Sequence, residues 1–377
     1  MGLKVYFASG YSPWWGEYPP SVLDTDHGRT VGGGEAGMLE TAFGLARRGH
    51  RVTIFSCAES GVYKDVIFRK EREYLGTVYK ETPDAVVAWS DVEPLRGAPD
   101  GVARLLCQQL NDLVFASGWE QYVDLLVSPS WNHVKYMRRL GWTGPATAVH
   151  NGCHPERWAG ARPARERDKL VGYWSSPDRG LHLLLRAWPR IRAVVPGAKL
   201  VVAYEVEKLF GIVGHPPSGD EHIVRINQVR NLVATAMADP SIRFTGALSR
   251  PRLIEIQKQV RVMAYPSCGV GYTEGFCVGA LEACVAGVLP IMRPVDALPS
   301  IYGDAARWLP LDTGSADFED VLVNDVIVGL NEWAENPAVP GPGDLRAVVD
   351  RYTWEAATGE METALATALA GAKGCGE

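Results

Sequence analysis

Short apolar runs alternate with helical patterns along this chain, and after a polar break near the middle the alternation begins again. A strand buried on both faces reads as a continuous apolar run, and a parallel neighbour can be reached only through a crossover, usually a helix. Residues 3–8 form the first such run, stopping at Ser9-Gly10. An irregular stretch rich in Trp, Tyr and Pro follows, and then Gly32-Gly33-Gly34-Glu35-Ala36-Gly37. A helical pattern over residues 38–48 is closed by Gly49-His50, and residues 51–57 read as a second strand. The result is a βαβ unit with a glycine-rich loop at the start of its helix. Residues 85–89, 125–128 and 146–150 are further strands. Residues 160–168, rich in Arg, Ala and Glu and holding a proline, read as a linker. A second series then opens: strands at 170–174, 199–204, 242–245, 262–265 and 288–292, and helices at 181–194, 253–260 and 278–286. Two such halves predict two Rossmann-like α/β domains facing a central cleft, with ligands at the carboxyl ends of the strands.

The length of 377 residues suits two domains, and 46 % hydrophobic with 22 % charged residues is the composition of a packed globular protein. The formal net charge of −6, with no long basic run, argues against a nonspecific nucleic-acid binder or a polybasic membrane binder. Seven cysteines (57, 107, 153, 268, 277, 284 and 375) show no Cys-x-x-Cys pair and read as reduced thiols. The N-terminus leads straight into a strand without a signal-peptide pattern, and no run of 18 apolar residues occurs. The expectation is a cytoplasmic protein without a transmembrane segment.

The residues suited to chemistry lie on the predicted loops of the second half. Tyr265-Pro266-Ser267 is followed by Glu274-Gly275-Phe276-Cys277-Val278, and a second glutamate, Glu282, stands eight positions beyond the first. Gly275 lets the backbone approach a ligand closely. The helix start behind it offers unpaired N–H groups and a positive dipole end, which suit a phosphate. A carboxylate there can accept hydrogen bonds from sugar hydroxyls, or from a ribose diol. Read alone, the spacing also fits a charge at a helix N-terminus and a solvated surface glutamate.

Residues 265–291 resemble the E-x7-E region of the retaining glycosyltransferase family of GT-B fold (glycosyltransferase family 4-like), which includes sucrose synthases and bacterial phosphatidylinositol mannosyltransferases. Other stretches agree in order: Gly33-Gly34-Glu35-Ala36-Gly37, His150-Asn151-Gly152-Cys153, Ser176-Pro177-Asp178-Arg179-Gly180-Leu181, Phe244-Thr245-Gly246 and Tyr352-Thr353-Trp354. The resemblance implies an acceptor-side domain over residues 1–162, a nucleotide-sugar domain over 163–350, and a C-terminal helix over 351–377 that crosses back to the first domain. It implies a hexosyl- or pentosyltransferase (EC 2.4) that uses a nucleotide-diphosphate sugar, a UDP-sugar first and a GDP-sugar next. Glu274 would contact the donor sugar; Gly275, Phe276 and Cys277 would offer N–H groups; Glu282 would hold the ribose; Gly246 would lie near the base. Arg179 would face the diphosphate, with Gly33 and Gly34 approaching from the first domain. No metal or other cofactor is required by that scheme.

The chain also departs from the family pattern. Tyr173-Trp174-Ser175 stands where an arginine is common, with Arg29 and His27 as substitutes. Gln109, a candidate hydrogen-bonding contact to the acceptor, stands near the place of a first-domain histidine, for which His133 and His150 are the other candidates. Trp14, Trp15 and Tyr18, with Tyr11, are aromatic faces that suit an acceptor or simply cover the sheet edge. The acceptor itself is open: a glycan, a small molecule, a lipid head group or a modified nucleic acid. Three alternatives stand beside this reading: a catalytically impaired nucleotide-sugar-binding protein, a GT-B epimerase or phosphorylase, and a metal-dependent GT-A enzyme built on Asp24-Thr25-Asp26.

Overall fold

A computed structural model describes residues 2–9, 16–113, 115–206, 220–268, 271–333 and 345–374. The chain divides into two compact units, Met1–Gly152 with Tyr352–Glu377, and Cys153–Arg351.

The first unit is an eight-stranded sheet. Its elements are β1 (Lys4–Ser9), α1 (Gly33–Arg47), β2 (Arg51–Ser56), β3 (Gly61–Tyr63), β4 (Val66–Lys70), α2 (Tyr74–Glu81), β5 (Ala85–Trp89), α3 (Glu93–Arg96), β6 (Ala103–Cys107), β7 (Leu125–Ser128), α4 (Trp131–Arg139) and β8 (Ala146–Ala148). The strand order is β3-β4-β2-β1-β5-β6-β7-β8. The pairs are parallel except β3 with β4, a hairpin whose two-residue turn holds Lys64 and Asp65 at φ 49° and 62°. Both faces are covered, which is why β1 reads as one apolar run. Val5 and Phe7 pack with α1 residues Met38, Leu39 and Phe43, while Tyr6 and Ala8 pack with Tyr74, Val78 and Leu95 on the opposite face. The strand order reverses between β1 and β5, the switch point at which open α/β sheets leave a crevice beyond their carboxyl ends.

The C-terminal helix, Trp354–Gly374, packs Met361, Leu365 and Ala368 into the α1 side of this sheet. A Cβ on Gly44 would lie 2.0 Å from Thr358 Oγ1, so glycine is what lets the two helices approach. Arg48 pairs with Glu355 and Glu362.

In the second unit, β9 (Leu170–Tyr173), α5 (Leu181–Val194), β10 (Lys199–Val202), α6 (Asp220–Ala236), β11 (Ile242–Phe244), α7 (Arg250–Gln257), β12 (Val262–Tyr265), α8 (Val278–Val285), β13 (Leu289–Met292), α9 (Leu298–Tyr302), β14 (Arg307–Trp308), α10 (Phe318–Val328) and α11 (Leu345–Arg351) follow in order. The sheet is parallel, β11-β10-β9-β12-β13-β14, and its order reverses between β9 and β12. Helix α5 buries Leu181, Leu184, Ala187, Trp188 and Ile191, the three- and four-residue spacing of one helical face. Among the described residues no helix is long and apolar enough to cross a membrane.

One expectation about the first unit is corrected. The glycine run is not a loop before a helix starting at residue 38; α1 begins at Gly33, with Gly32 as its N-cap. Gly33 and Gly34 are therefore the first turn of the helix itself.

Candidate functional site

The chemistry-bearing residues of the second unit gather on two loops. Arg179 follows β9 and Glu274 follows β12, the two strands that flank the switch point. Gly180, at φ 107°, turns the first loop into α5, and a Cβ there would lie 3.1 Å from the Pro266 carbonyl carbon of the second. That close approach explains the glycine and brings the guanidinium to the carboxylate.

Glu274 is only 6 % exposed. Arg179 Nη1 lies 2.8 Å from Glu274 Oε1, and the Tyr265 hydroxyl donates to the same oxygen. No described residue bonds to the other oxygen, Oε2. Burial holds the Glu274 carboxyl above the usual carboxylate range, with Arg179 and Tyr265 pulling it partway back. Asp296 secures the backbone of this loop. Its Oδ2 accepts from Thr273 N (2.7 Å), Thr273 Oγ1 (3.2 Å) and Glu274 N (3.0 Å), and Asp296 itself adopts φ 53°. Sequence reasoning missed Asp296, since 22 residues separate it from Glu274 and no local pattern links them.

Beyond Glu274 the chain runs through Gly275 and Phe276 to Cys277, the N-cap of α8, which is left-handed at φ 64°. Tyr302 OH donates to the carbonyls of Phe276 (3.1 Å) and Cys277 (2.7 Å). These bonds fix the backbone leading to a helix N-terminus that no side chain caps. Trp174, in the place where arginine is common, packs beneath this turn. Its Nε1 donates to Gly279 O (2.9 Å), and a Cβ on Gly279 would lie 2.9 Å from its ring. The Ser267 hydroxyl, fully buried beside this loop, has no hydrogen-bond partner among the described residues.

Glu282 faces inward from α8 at 2 % exposure, which removes the surface-glutamate reading. Arg250 pairs with its Oε1, and Gln257 Nε2 donates to its Oε2 (2.6 Å). Gln257 Oε1 in turn accepts from Trp158 Nε1 (3.0 Å), and the Arg250 guanidinium lies over the Trp158 ring. Two lone-pair directions on the Glu282 carboxylate remain beyond these bonds. Gly246, after β11, needs glycine for its φ of 69°.

The first-unit candidates separate. Gly33 and Gly34 open α1, and Gln109 lies beside them: its Oε1 accepts from Asn151 Nδ2 (3.4 Å), and its Cβ is 4.0 Å from where a Gly34 Cβ would be. Tyr18 does not face an acceptor. It is 1 % exposed and packed in the α1-side core, because the chain after residue 16 folds back over the sheet. Trp14 and Trp15, with Tyr11, lie outside the described residues. His150 Nδ1 is 2.9 Å from Glu360 Oε1 on the C-terminal helix, an intra-unit tie. His133 is fully buried, and burial lowers its pKa to about 4. Asp24 is paired with Lys64 (2.6 Å) and accepts from Tyr63 OH (3.1 Å), so its carboxylate already serves the β3–β4 hairpin.

Residues 169–323, within the second unit, match the family described as glycosyl transferases group 1. No curated protein sequence matches the chain. Among solved structures, AviGT4, a glycosyltransferase involved in avilamycin A biosynthesis, is 16 % identical over 98 % of each chain, with a TM-score of 0.65. Sucrose-phosphate synthase from Thermosynechococcus elongatus is 14 % identical over 97 % of this chain and 99 % of its own, with a TM-score of 0.68. HepE from Anabaena, in complex with UDP-glucose, is 13 % identical over 97 % and 100 %, also with a TM-score of 0.68. Residues 169–323 thus match a group 1 glycosyltransferase domain, and the chain as a whole shares the fold of these GT-B glycosyltransferase structures.

Proposed function

We propose that this protein is a retaining glycosyltransferase that takes a sugar from a nucleotide-diphosphate donor, a UDP-sugar first, and that its second unit holds the donor. The observation that carries the reading is Glu274: a carboxylate with one oxygen held by Arg179 and Tyr265 and the other unclaimed by any described residue. A buried acceptor oxygen held in place in this way suits the hydroxyls of a donor sugar. The uncapped N-terminus of α8, reached through Gly275, Phe276 and Cys277, suits the diphosphate, and Arg179 adds a fixed positive charge beside it. Glu282 suits the ribose diol through its remaining lone pairs. HepE, of the same fold, is complexed with UDP-glucose, which supports a uridine donor. The first unit supplies the acceptor side.

In the reaction the bond from the anomeric carbon to the diphosphate oxygen breaks and the pair of electrons leaves with the diphosphate. The acceptor oxygen bonds to the same face of the sugar and its proton passes to a diphosphate oxygen. The protein's contribution is positioning and stabilisation of the charge that develops on the leaving group. The scheme asks for no metal ion.

Proton NMR of the sugar first released from UDP-glucose in the absence of acceptor tests the stereochemistry. Release of the α-anomer before mutarotation supports retention, and release of the β-anomer contradicts it.

A further inference from the structure

We propose that the exposed face of α4 docks the first unit on an anionic lipid surface.

The distribution of charge points there first. Asp and Glu number 44 in 377 residues, about one in nine, yet residues 125–155 hold none. The same stretch carries Lys135, Arg138 and Arg139, all on α4. Steps of four and three residues bring Trp131, Lys135 and Arg138 onto one face, with Arg139 beside them. All four are exposed, while His133, Val134 and Met137 are buried against the sheet side. Lys135 and Arg139 make no ion pair with a described residue, and Arg138 Nη1 donates to Trp142 O (3.1 Å), a backbone carbonyl. Asp124, the nearest acid before the stretch, is held by Arg104 Nη2 at 3.0 Å. Glu120 lies on the turn whose Trp119 ring stacks on Trp142, so it offsets part of the charge near that residue. The net charge of −6 is an average over the chain, and this face departs from it. Its cations follow the helical period and form no run, so a scan for basic runs passes over them.

The apolar groups on the same helix decide the kind of anionic partner. Trp131 is 55 % exposed at the start of α4, and Leu140 is 42 % exposed at its end. An indole has an apolar body and one N–H, which suits the boundary between lipid head groups and acyl chains. Lys and Arg reach the head-group phosphates while their methylene stems lie along the apolar boundary. An acidic peptide or a nucleic-acid duplex would meet the cations and leave the indole and Leu140 in water. Trp131 comes soon after the carboxyl end of β7, so the helix starts at the rim where an open α/β sheet takes its ligands.

The test is co-sedimentation of the full chain with vesicles of phosphatidylcholine, with and without an equal part of phosphatidylglycerol. The chain should bind the anionic vesicles, leave them as salt rises, and ignore the neutral ones. Lys135→Gln, Arg138→Gln and Arg139→Gln combined should lower the partition coefficient about fivefold for each cation removed. These side chains are exposed, so the melting temperature should hold. Brominated acyl chains should quench the tryptophan emission of the bound wild type, and Trp131→Phe should lose most of that quenching while still binding. Equal binding to both kinds of vesicle overturns the proposal, as does a triple variant that binds like wild type or quenching that survives Trp131→Phe. Binding to heparin that the triple variant loses, without binding to vesicles, assigns the face to an acidic polymer and overturns it too. Vesicle binding needs no sugar donor, so failure of the transferase reading would be seen separately.

Discussion

Replacing Arg179 by methionine keeps much of the side chain's apolar stem but, among the described residues, leaves the Glu274 carboxylate with the Tyr265 hydroxyl alone for support. Removing one partner of a fully buried ion pair costs about 3–5 kcal/mol. The Arg179 side chain is 27 % exposed, so solvent screening brings the expected cost down to about 2–3 kcal/mol at pH 8. Loss of the guanidinium moves the Glu274 carboxyl further upward. The sign follows from linkage. An acid whose folded-state pKa is raised binds its proton more tightly folded than unfolded, so stability is retained below the unfolded pKa and lost as pH rises toward the folded one. The variant's deficit should therefore be largest at pH 8 and shrink toward pH 5. For a unit of this size, about 2–4 °C per kcal/mol gives a drop in melting temperature of roughly 4–10 °C at pH 8. Thermal unfolding of both proteins at pH 5 and pH 8 reads it directly. An equal deficit at the two pH values would refute the reasoning, since it would mean that lost packing of the arginine stem, and not an uncompensated carboxylate, sets the cost.

Asp296→Ala removes the acceptor of two backbone N–H groups and one hydroxyl and should cost about 1–3 kcal/mol in denaturant unfolding, with kcat falling more than KM rises. Asp296→Asn keeps an acceptor oxygen and tolerates φ 53°, so it should recover most of both. In Gly152→Ala the new Cβ would lie 2.4 Å from Trp354 N and 2.5 Å from the Thr353 carbonyl carbon; neither backbone atom can yield cheaply, and a loss of about 1–3 kcal/mol or more should appear in the same assay. His133, with its pKa lowered to about 4 by burial, contributes stability that is present above its unfolded pKa of about 6.5. That contribution, about 3 kcal/mol in all, should be lost as pH falls from about 6.5 to 4, and a His133→Leu variant should show a flatter acid limb.

The parallel strands were easy to read because burial on both faces turns each into an uninterrupted apolar run: residues 85–89, 125–128 and 262–265 coincide with β5, β7 and β12. The β3–β4 hairpin was not read, because its turn uses Lys64-Asp65 in the left-handed region instead of an Asn-Gly or Asp-Gly signal, and β3 is largely exposed. The start of α1 was placed five residues late because Gly33, Gly34 and Gly37 are poor helix formers. Tertiary contact decides there: a Cβ on Gly37 would lie 3.0 Å from Asn151 Oδ1 and 3.3 Å from the Trp89 ring. In the second unit, the helix start after Cys277 and a glutamate one turn into it are legible as a local pattern, whereas the inward direction of Glu282 is not, since the spacing fits a surface glutamate equally well. Their partners are not legible either. Asp296, Arg250 and Gln257 reach Glu274 and Glu282 from elements distant in sequence, so only the fold reveals them. Tyr18 was misjudged because an aromatic residue in an irregular segment reads the same whether it covers a core or faces a ligand.

The central claim is that Glu274 presents Oε2, to which no described residue bonds, to the sugar of a nucleotide-diphosphate donor. The most direct test is mass spectrometry of the full chain incubated with UDP-, GDP-, ADP- and dTDP-sugars, beside Glu274→Gln, with nucleotide binding followed in parallel by calorimetry. The account predicts that wild type consumes one donor, UDP-linked first, and that Glu274→Gln spares it while still binding the free nucleotide. Equal consumption by both proteins, or no binding of any nucleotide by wild type, would contradict it.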